Sequence, residues 1–265
     1  MIRPTRLGWL AVLLVGANCA SALKEPPPIS TLQRDPTGTV PANALLQEAA
    51  EEYARRPDKA SVRRAEALCL AAAQADETQT AGLICAVQAK AWLAERETDV
   101  KVRTGLAVSA VQAGQWCLRR EAASAPCKFW LAVALGLQAR DRPTTVEDGL
   151  KRMAQLLRDT ARDAPLLDEA GPDRVLSLLL ARAPGWPIGP GDTEEALVHA
   201  RKAVELRPGY PPNQLALGEV LLRNDDRSKG REALLKAVEL AGQAPWSGHP
   251  DGPSWVEDAQ SLLAR

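Results

Sequence analysis

The chain has 265 residues, and its 33 Lys and Arg are balanced by 33 Asp and Glu, which removes the electrostatic footprint that a nucleic-acid partner requires. Aromatic residues make up only 4% while Ala and Leu dominate, so strong helix formers prevail and β-branched runs are scarce. No basic amphipathic stretch speaks for a membrane surface. The absence of a CxxC or Cys/His cluster with zinc spacing leaves no metal or other cofactor to expect.

In chain order, residues 1–22 read as an export signal: Arg3 and Arg6, an apolar run from Leu7 to Ala17, then Ala20-Ser21-Ala22 as the A-x-A cleavage pattern. The chain is therefore expected to be exported. A second route stays open, in which cleavage before Cys19 leaves that cysteine lipidated as a membrane anchor. Nothing later approaches the ~18 uninterrupted apolar residues of a membrane span. Residues 23–41 carry five prolines and no apolar period, which reads as an extended linker, followed by one helical domain over 42–265.

Helical patterns occupy about 42–55, 59–75, 78–95, 98–118, 127–140, 145–161, 166–182, 192–206, 212–223, 227–241 and 254–264. Three starts pair a side-chain acceptor with a carboxylate three residues on: Thr144 with Glu147, Asp192 with Glu195 and Ser254 with Glu257. Either route of export removes Cys19 from the pool. Cys69, Cys85, Cys117 and Cys127 then remain, and an even number in an exported chain points to two disulfides. The helix pattern selects Cys69–Cys85, across the turn AQADETQT, and Cys117–Cys127, which bracket the loop LRREAASAP. Two segments, 183–191 and 245–253, are rich in Pro and Gly and each holds a Trp, Trp186 and Trp246.

GDTEEALVHARKAVELRPGY (191–210) slides without a gap onto DDRSKGREALLKAVEL (225–240) at an interval of 34 residues, with Ala196 meeting Gly230 and Ala203 meeting Ala237. That interval is the length of a tetratricopeptide repeat, a two-helix hairpin that buries its apolar face only when a neighbour stacks on it. The fold expected is all-α, a right-handed α-solenoid of tetratricopeptide-like helical hairpins. Small residues at the matched places allow close helix approach, with Leu217, Leu221 and Leu234 filling the remaining space. Such scaffolds present surfaces and do not imply catalysis.

The ordered set Trp130-Leu131-Ala132-Val133-Ala134-Leu135-Gly136, VEDGLKRMAQLLRD, Ala170-Gly171-Pro172-Asp173-Arg174, Ala183-Pro184-Gly185-Trp186-Pro187 and GDTEEALVHARKAVELRPGYPPNQLALGE resembles the periplasmic tetratricopeptide component, the T component, associated with TRAP transporters. The resemblance covers about residues 127–240; residues 42–118 and the cysteines have no counterpart in it. It implies a non-enzymatic helical subunit that forms a homotrimer with an apolar, ligand-accepting cleft. It further implies a periplasmic substrate-binding protein as partner and a hydrophobic small molecule as ligand. Trp130, Gly136, Arg174, Trp186 and Pro187 lie in the matching motifs and are the expected contact residues; no catalytic residue transfers. The alternative reading is a cell-envelope assembly scaffold that holds peptide segments on its concave face.

The remaining polar residues have bland explanations. His199, on the 192–206 helix, and His249, in a Pro/Gly loop, lack partners at ligand spacing. Asp168-Glu169 and Asp225-Asp226 stand at helix ends or turns, where solvated caps are expected. GPGD lacks the Gly-Lys-Ser/Thr of a phosphate loop, and no G-x-S-x-G occurs. For Arg174 two roles are open, an ion pair with Glu169 or Asp173 and a carboxylate-binding group in the cleft. For Trp186 the two are a plug beneath its loop and a contact with ligand or partner.

Overall fold

The structure, a computed structural model, describes residues 23–31, 40–141 and 146–264. The expected export signal, with Cys19, and the expected Thr144 cap lie outside the described residues. A 3-10 turn at Ile29–Thr31 is followed by eleven α-helices: α1 Ala42–Ala54, α2 Lys59–Ala75, α3 Ala81–Glu95, α4 Val100–Arg120, α5 Ala125–Asp141, α6 Val146–Asp163, α7 Gly171–Arg182, α8 Thr193–Leu206, α9 Pro211–Arg223, α10 Arg227–Ala241 and α11 Gly252–Leu263. Among the described residues the one β-type pairing is an isolated bridge between Gly185 and Gly191.

Each helix packs on the next, and the odd-numbered ones also touch one another in sequence, α1 with α3, α3 with α5, and so on to α11. The molecule is thus two layers, odd helices inside and even helices outside, the stacked-hairpin arrangement of an α-solenoid. The outer layer is started by one recurring device: Asp58, Asp99, Asp192 and Asp226 stand before α2, α4, α8 and α10, and each accepts main-chain N–H groups in the first turn. Asp192 and Asp226 do so at equivalent places of the 34-residue repeat, taking the N–H of Glu195 and Lys229 at 2.9 and 3.2 Å.

The small matched residues are buried as the repeat demands: Ala196, Ala200 and Ala203 at 0% exposure and Ala237 at 1%. Between α9 and α10 the backbones come closest at Gly218 and Gly230. A Cβ on Gly218 would sit 2.6 Å from Leu234 Cγ, and one on Gly230 would sit 2.9 Å from the Leu222 side chain. Cys69–Cys85 and Cys117–Cys127 both pair, with Cα separations of 5.6 and 5.4 Å. Each ties an outer helix to the next inner one. The second pair lies within α4 and α5 themselves, because the turn between these helices shrinks to residues 121–124.

Three expectations need correction. Helix α7 starts at Gly171 instead of 166, because Asp168, Glu169 and Ala170 all take left-handed conformations (φ 51°, 56° and 64°), uncommon for residues with a Cβ. Buried Asn213 explains how the turn persists: its amide donates to the carbonyls of Glu169, Ala203 and Arg207 at 3.0–3.1 Å, and its oxygen accepts from Arg174 at 3.1 Å. Next, Glu195 does not reach back to its cap; its carboxylate takes the guanidinium of Arg158 at 3.0 Å on both oxygens. Finally, α11 starts two residues before Ser254, whose hydroxyl donates to the Asp251 carbonyl at 2.8 Å, so Ser254 and Glu257 form no capping box.

Candidate functional site: the inner cavity

The inner layer lines a solvent-open cavity of about 940 Å3, and every residue lining it belongs to or borders an odd-numbered helix. The chain holds seven Trp, two Tyr and one Phe, and six of these ten line this one space: Tyr53, Trp92, Phe129, Trp130, Tyr210 and Trp255. In a chain so poor in aromatics that concentration is notable, although Phe129 and Trp92 are themselves buried in the wall at 1% and 5% exposure, and the volume lies in the range of ligand pockets.

Charged side chains share the walls. Glu219 on α9 accepts from Arg182 at 2.8 and 2.5 Å and from Arg223 at 3.1 Å. Burial alone would raise its pKa, but the two guanidiniums outweigh it and hold it below the ordinary range. Glu95 and Asp258 go the other way: both are solvent-exposed, yet partial desolvation by the surrounding concave wall raises both carboxyls against the pull of neighbouring arginines. Tyr210 sits beneath Arg174, 5.1 Å from guanidinium to ring centroid, with Trp246 and Trp255 packed around it. Burial pushes its hydroxyl up to about 12, so it is a neutral hydrogen-bonding group. His249 stacks on Trp255 at 4.6 Å, and burial pulls its pKa down.

One carboxylate bridges the two ends of the inner layer. Asp251, just before α11, accepts from Trp92 Nε1 at 2.8 Å and from Arg96 at 3.2 Å, and stands 3.6 Å from Arg56. Arg96 and Arg56 in turn lie over the rings of Trp92 and Tyr53 at 4.3 and 3.8 Å. Helices α1 and α3 are thereby joined to the far end of the chain, and the solenoid becomes a ring around its cavity.

The expected contact residues divide. Trp130 and Arg174 line the cavity. Arg174 is paired with Asp168 at 2.6 Å, and not with Glu169 or Asp173, and also donates to the carbonyls of Asp168 and Glu169. Asp168 remains exposed at the turn but serves as the partner of Arg174, and desolvation by the surrounding wall raises its carboxyl despite that guanidinium. Glu169 pairs with Arg207 at 3.0 Å, and Asp173 with His199 at 2.6 Å. Gly136 lies against Met153 of α6, away from the cavity wall. Trp186 is 90% exposed and Ile188 64%, so Trp186 does not plug the space beneath its loop. Together with Pro187 it stands on a compact excursion pinned by Gly191 N–H to Pro184 O at 2.9 Å and Asp192 N–H to Leu180 O at 3.0 Å.

Tyr53, Trp92, Tyr210, Trp255 and Asp251 were not expected at the site. The available signal was the confinement of most aromatics to the odd-numbered helices and the residues just before them. Among the described residues no group of His, Cys, Asp and Glu could hold a metal ion, and no helix is long and apolar enough to cross a membrane.

Two layers of hairpins, repeated aspartate caps and a concave inner face define a tetratricopeptide-type α-solenoid. Its structural likenesses agree. TTC0263, a thermophilic TPR protein of Thermus thermophilus, superimposes with a TM-score of 0.62 at 18% identity over 84% of this chain and 100% of that one. MamA from residue 41 onward, of Desulfovibrio magneticus RS-1, does so with a TM-score of 0.50 at 17% identity over 80% of this chain and 99% of that one. At these identities the likeness is one of fold. No protein-family model matches the chain, and no curated protein matches it.

Proposed function

We propose that this chain is an exported, non-enzymatic binding scaffold that takes an apolar ligand into its inner cavity and presents the 183–191 loop to a protein partner. The observation that carries the reading is the gathering of six of ten aromatic residues on the cavity wall. Arg140, Arg182 and Arg223, whose side chains are 41–55% exposed, suit a ligand with an acidic head and an apolar body. The motif order of residues 127–240 aligns such a scaffold with the T component of a TRAP-type transport system. Its partner is then a periplasmic substrate-binding protein and its assembled form a homotrimer.

Titration calorimetry with dodecanoate tests this. The expected result is binding to the unaltered chain and at least about a ten-fold loss in Leu178→Arg, which fills the cavity with a charged side chain. Eleven charged residues on the same wall favour a second reading, an envelope scaffold that holds a peptide segment in the ring. Dodecanoate then fails to bind at any concentration below its micellar range, and the transport reading falls.

A further inference from the structure

The proline-rich stretch after the export signal is gripped where a bare spacer would hang free. Residues 23–28 have no regular secondary structure, yet they lie against the outer helices α2 and α4, of which no residue lines the cavity. Trp116 of α4 donates its indole N–H to the Pro27 carbonyl at 2.8 Å, and Gln115 donates to the Lys24 carbonyl at 2.8 Å. Gln74 of α2 donates to the Ile29 carbonyl at 3.4 Å. Arg119 pairs with Glu25 at 3.2 Å while its guanidinium lies 5.0 Å from the Trp116 ring centroid. Pro26 is buried, and Leu23 and Ile29 pack against the main core.

The chemistry of this grip is that of proline-rich recognition. The two carbonyls taken by α4, of Lys24 and Pro27, are three residues apart, the repeat of a polyproline II helix, so both point to the same side. Pro26, Pro27 and Pro28 have no N–H to leave unpaired on docking. An indole N–H that donates to a carbonyl beside consecutive prolines, with the ring as a platform, suits a segment that is already extended before it binds. Because three of the contacts read main-chain carbonyls, they do not require this particular sequence.

We propose that the α2–α4 outer face around Trp116 is a docking site for extended proline-rich segments of a partner protein, held shut in cis by residues 23–31. A competing segment of the same chemistry displaces the chain's own one and frees it.

A synthetic, fluorescently labelled peptide of residues 23–31 (LKEPPPIST) is the probe, and full-length chain carrying Pro26→Asp, Pro27→Gly and Pro28→Gly is the open form. Anisotropy is expected to show the peptide binding the open form at least about ten-fold more tightly than the unaltered chain, whose site is filled. Adding Trp116→Phe should then weaken it by about five-fold, the loss of one hydrogen bond. No binding to the open form, or equal affinity for both chains, overturns the proposal. If the substituted chain does not fold, hydrogen exchange on the unaltered chain decides. Excess peptide should speed exchange at Thr31, whose N–H is held by the Pro28 carbonyl at 2.9 Å in the docked segment, and unchanged protection there overturns the proposal equally.

Discussion

Asp251 accepts the indole N–H of Trp92, which precedes it by 159 residues, at 2.8 Å. That bond, with Arg96 and Arg56 gathered on the same carboxylate, turns an open solenoid into a ring, and its removal is the simplest way to reopen it. Asp251→Ala should cost about 1–3 kcal/mol, because it leaves a partly buried indole and two guanidiniums without their acceptor. Asp251→Asn, which keeps an oxygen for Trp92, should cost less. Urea midpoints of the two variants check this, and equal midpoints would show that the indole bond contributes nothing.

Ala203 and Ala237 occupy equivalent places and are 0% and 1% exposed, between helices with no space to yield. Ala203→Leu and Ala237→Leu should each destabilise by about 1–3 kcal/mol through overpacking. By contrast Lys202 is exposed, and Lys202→Leu should change the thermal midpoint little. Unmoved midpoints in both alanine variants would refute the repeat register.

Cys69–Cys85 and Cys117–Cys127 each join residues 16 and 10 positions apart. Bridges of this span are worth about 3 kcal/mol each in the chain-entropy model. Non-reducing peptide mapping should recover these two pairs alone, and reduction should lower the thermal midpoint. Recovery of a Cys69–Cys117 peptide would contradict the helix order around both bridges.

Glu219 ionises below its ordinary range of 4.5 because Arg182 and Arg223 outweigh its burial. A carboxyl whose pKa falls on folding contributes stability that is present above the unfolded pKa and lost as pH drops through the folded one. Glu219→Gln should therefore cost about 1–3 kcal/mol at neutral pH, and the difference from the unaltered chain should shrink below about pH 4. Denaturant curves at both pH values test the sign. A gap that widens on acidification would show that the ion pairs do not depress this group.

The eleven helices were legible because Ala and Leu dominate them, amphipathic period marks most of them and an aspartate starts most outer ones. The beginning of α7 was not, since its left-handed turn depends on Asn213, which joins the Asp168–Ala170 segment to the start of α9 across the fold. The cavity escaped for a related reason. Which side of α3, α9 and α11 becomes concave is decided by how hairpins stack, and no single helix carries that information, so Trp92, Tyr210 and Trp255 looked like scattered aromatics. The 183–191 loop drew notice by composition alone, and the linker reading of 23–41 had no means to see Trp116 reach Pro27.

Trp186 offers a clean separation of stability from binding, because its side chain is 90% exposed. Trp186→Ala should leave the urea midpoint within about 0.5 kcal/mol of the unaltered chain. If the proposed partner is a periplasmic substrate-binding protein, binding to it should weaken by about 2 kcal/mol, as truncation of an interface anchor does. Unchanged affinity would end the assignment of the loop as a contact surface.

The most direct test of a ligand-accepting ring is native mass spectrometry of the protein purified from its own cells without denaturation. The expected spectrum shows an apolar adduct of a few hundred daltons, sized to a cavity of about 940 Å3, which disappears in Leu178→Arg while the helical circular dichroism is retained. An unaltered chain that carries no adduct and takes up no added dodecanoate would contradict the assignment of this cavity as a binding site.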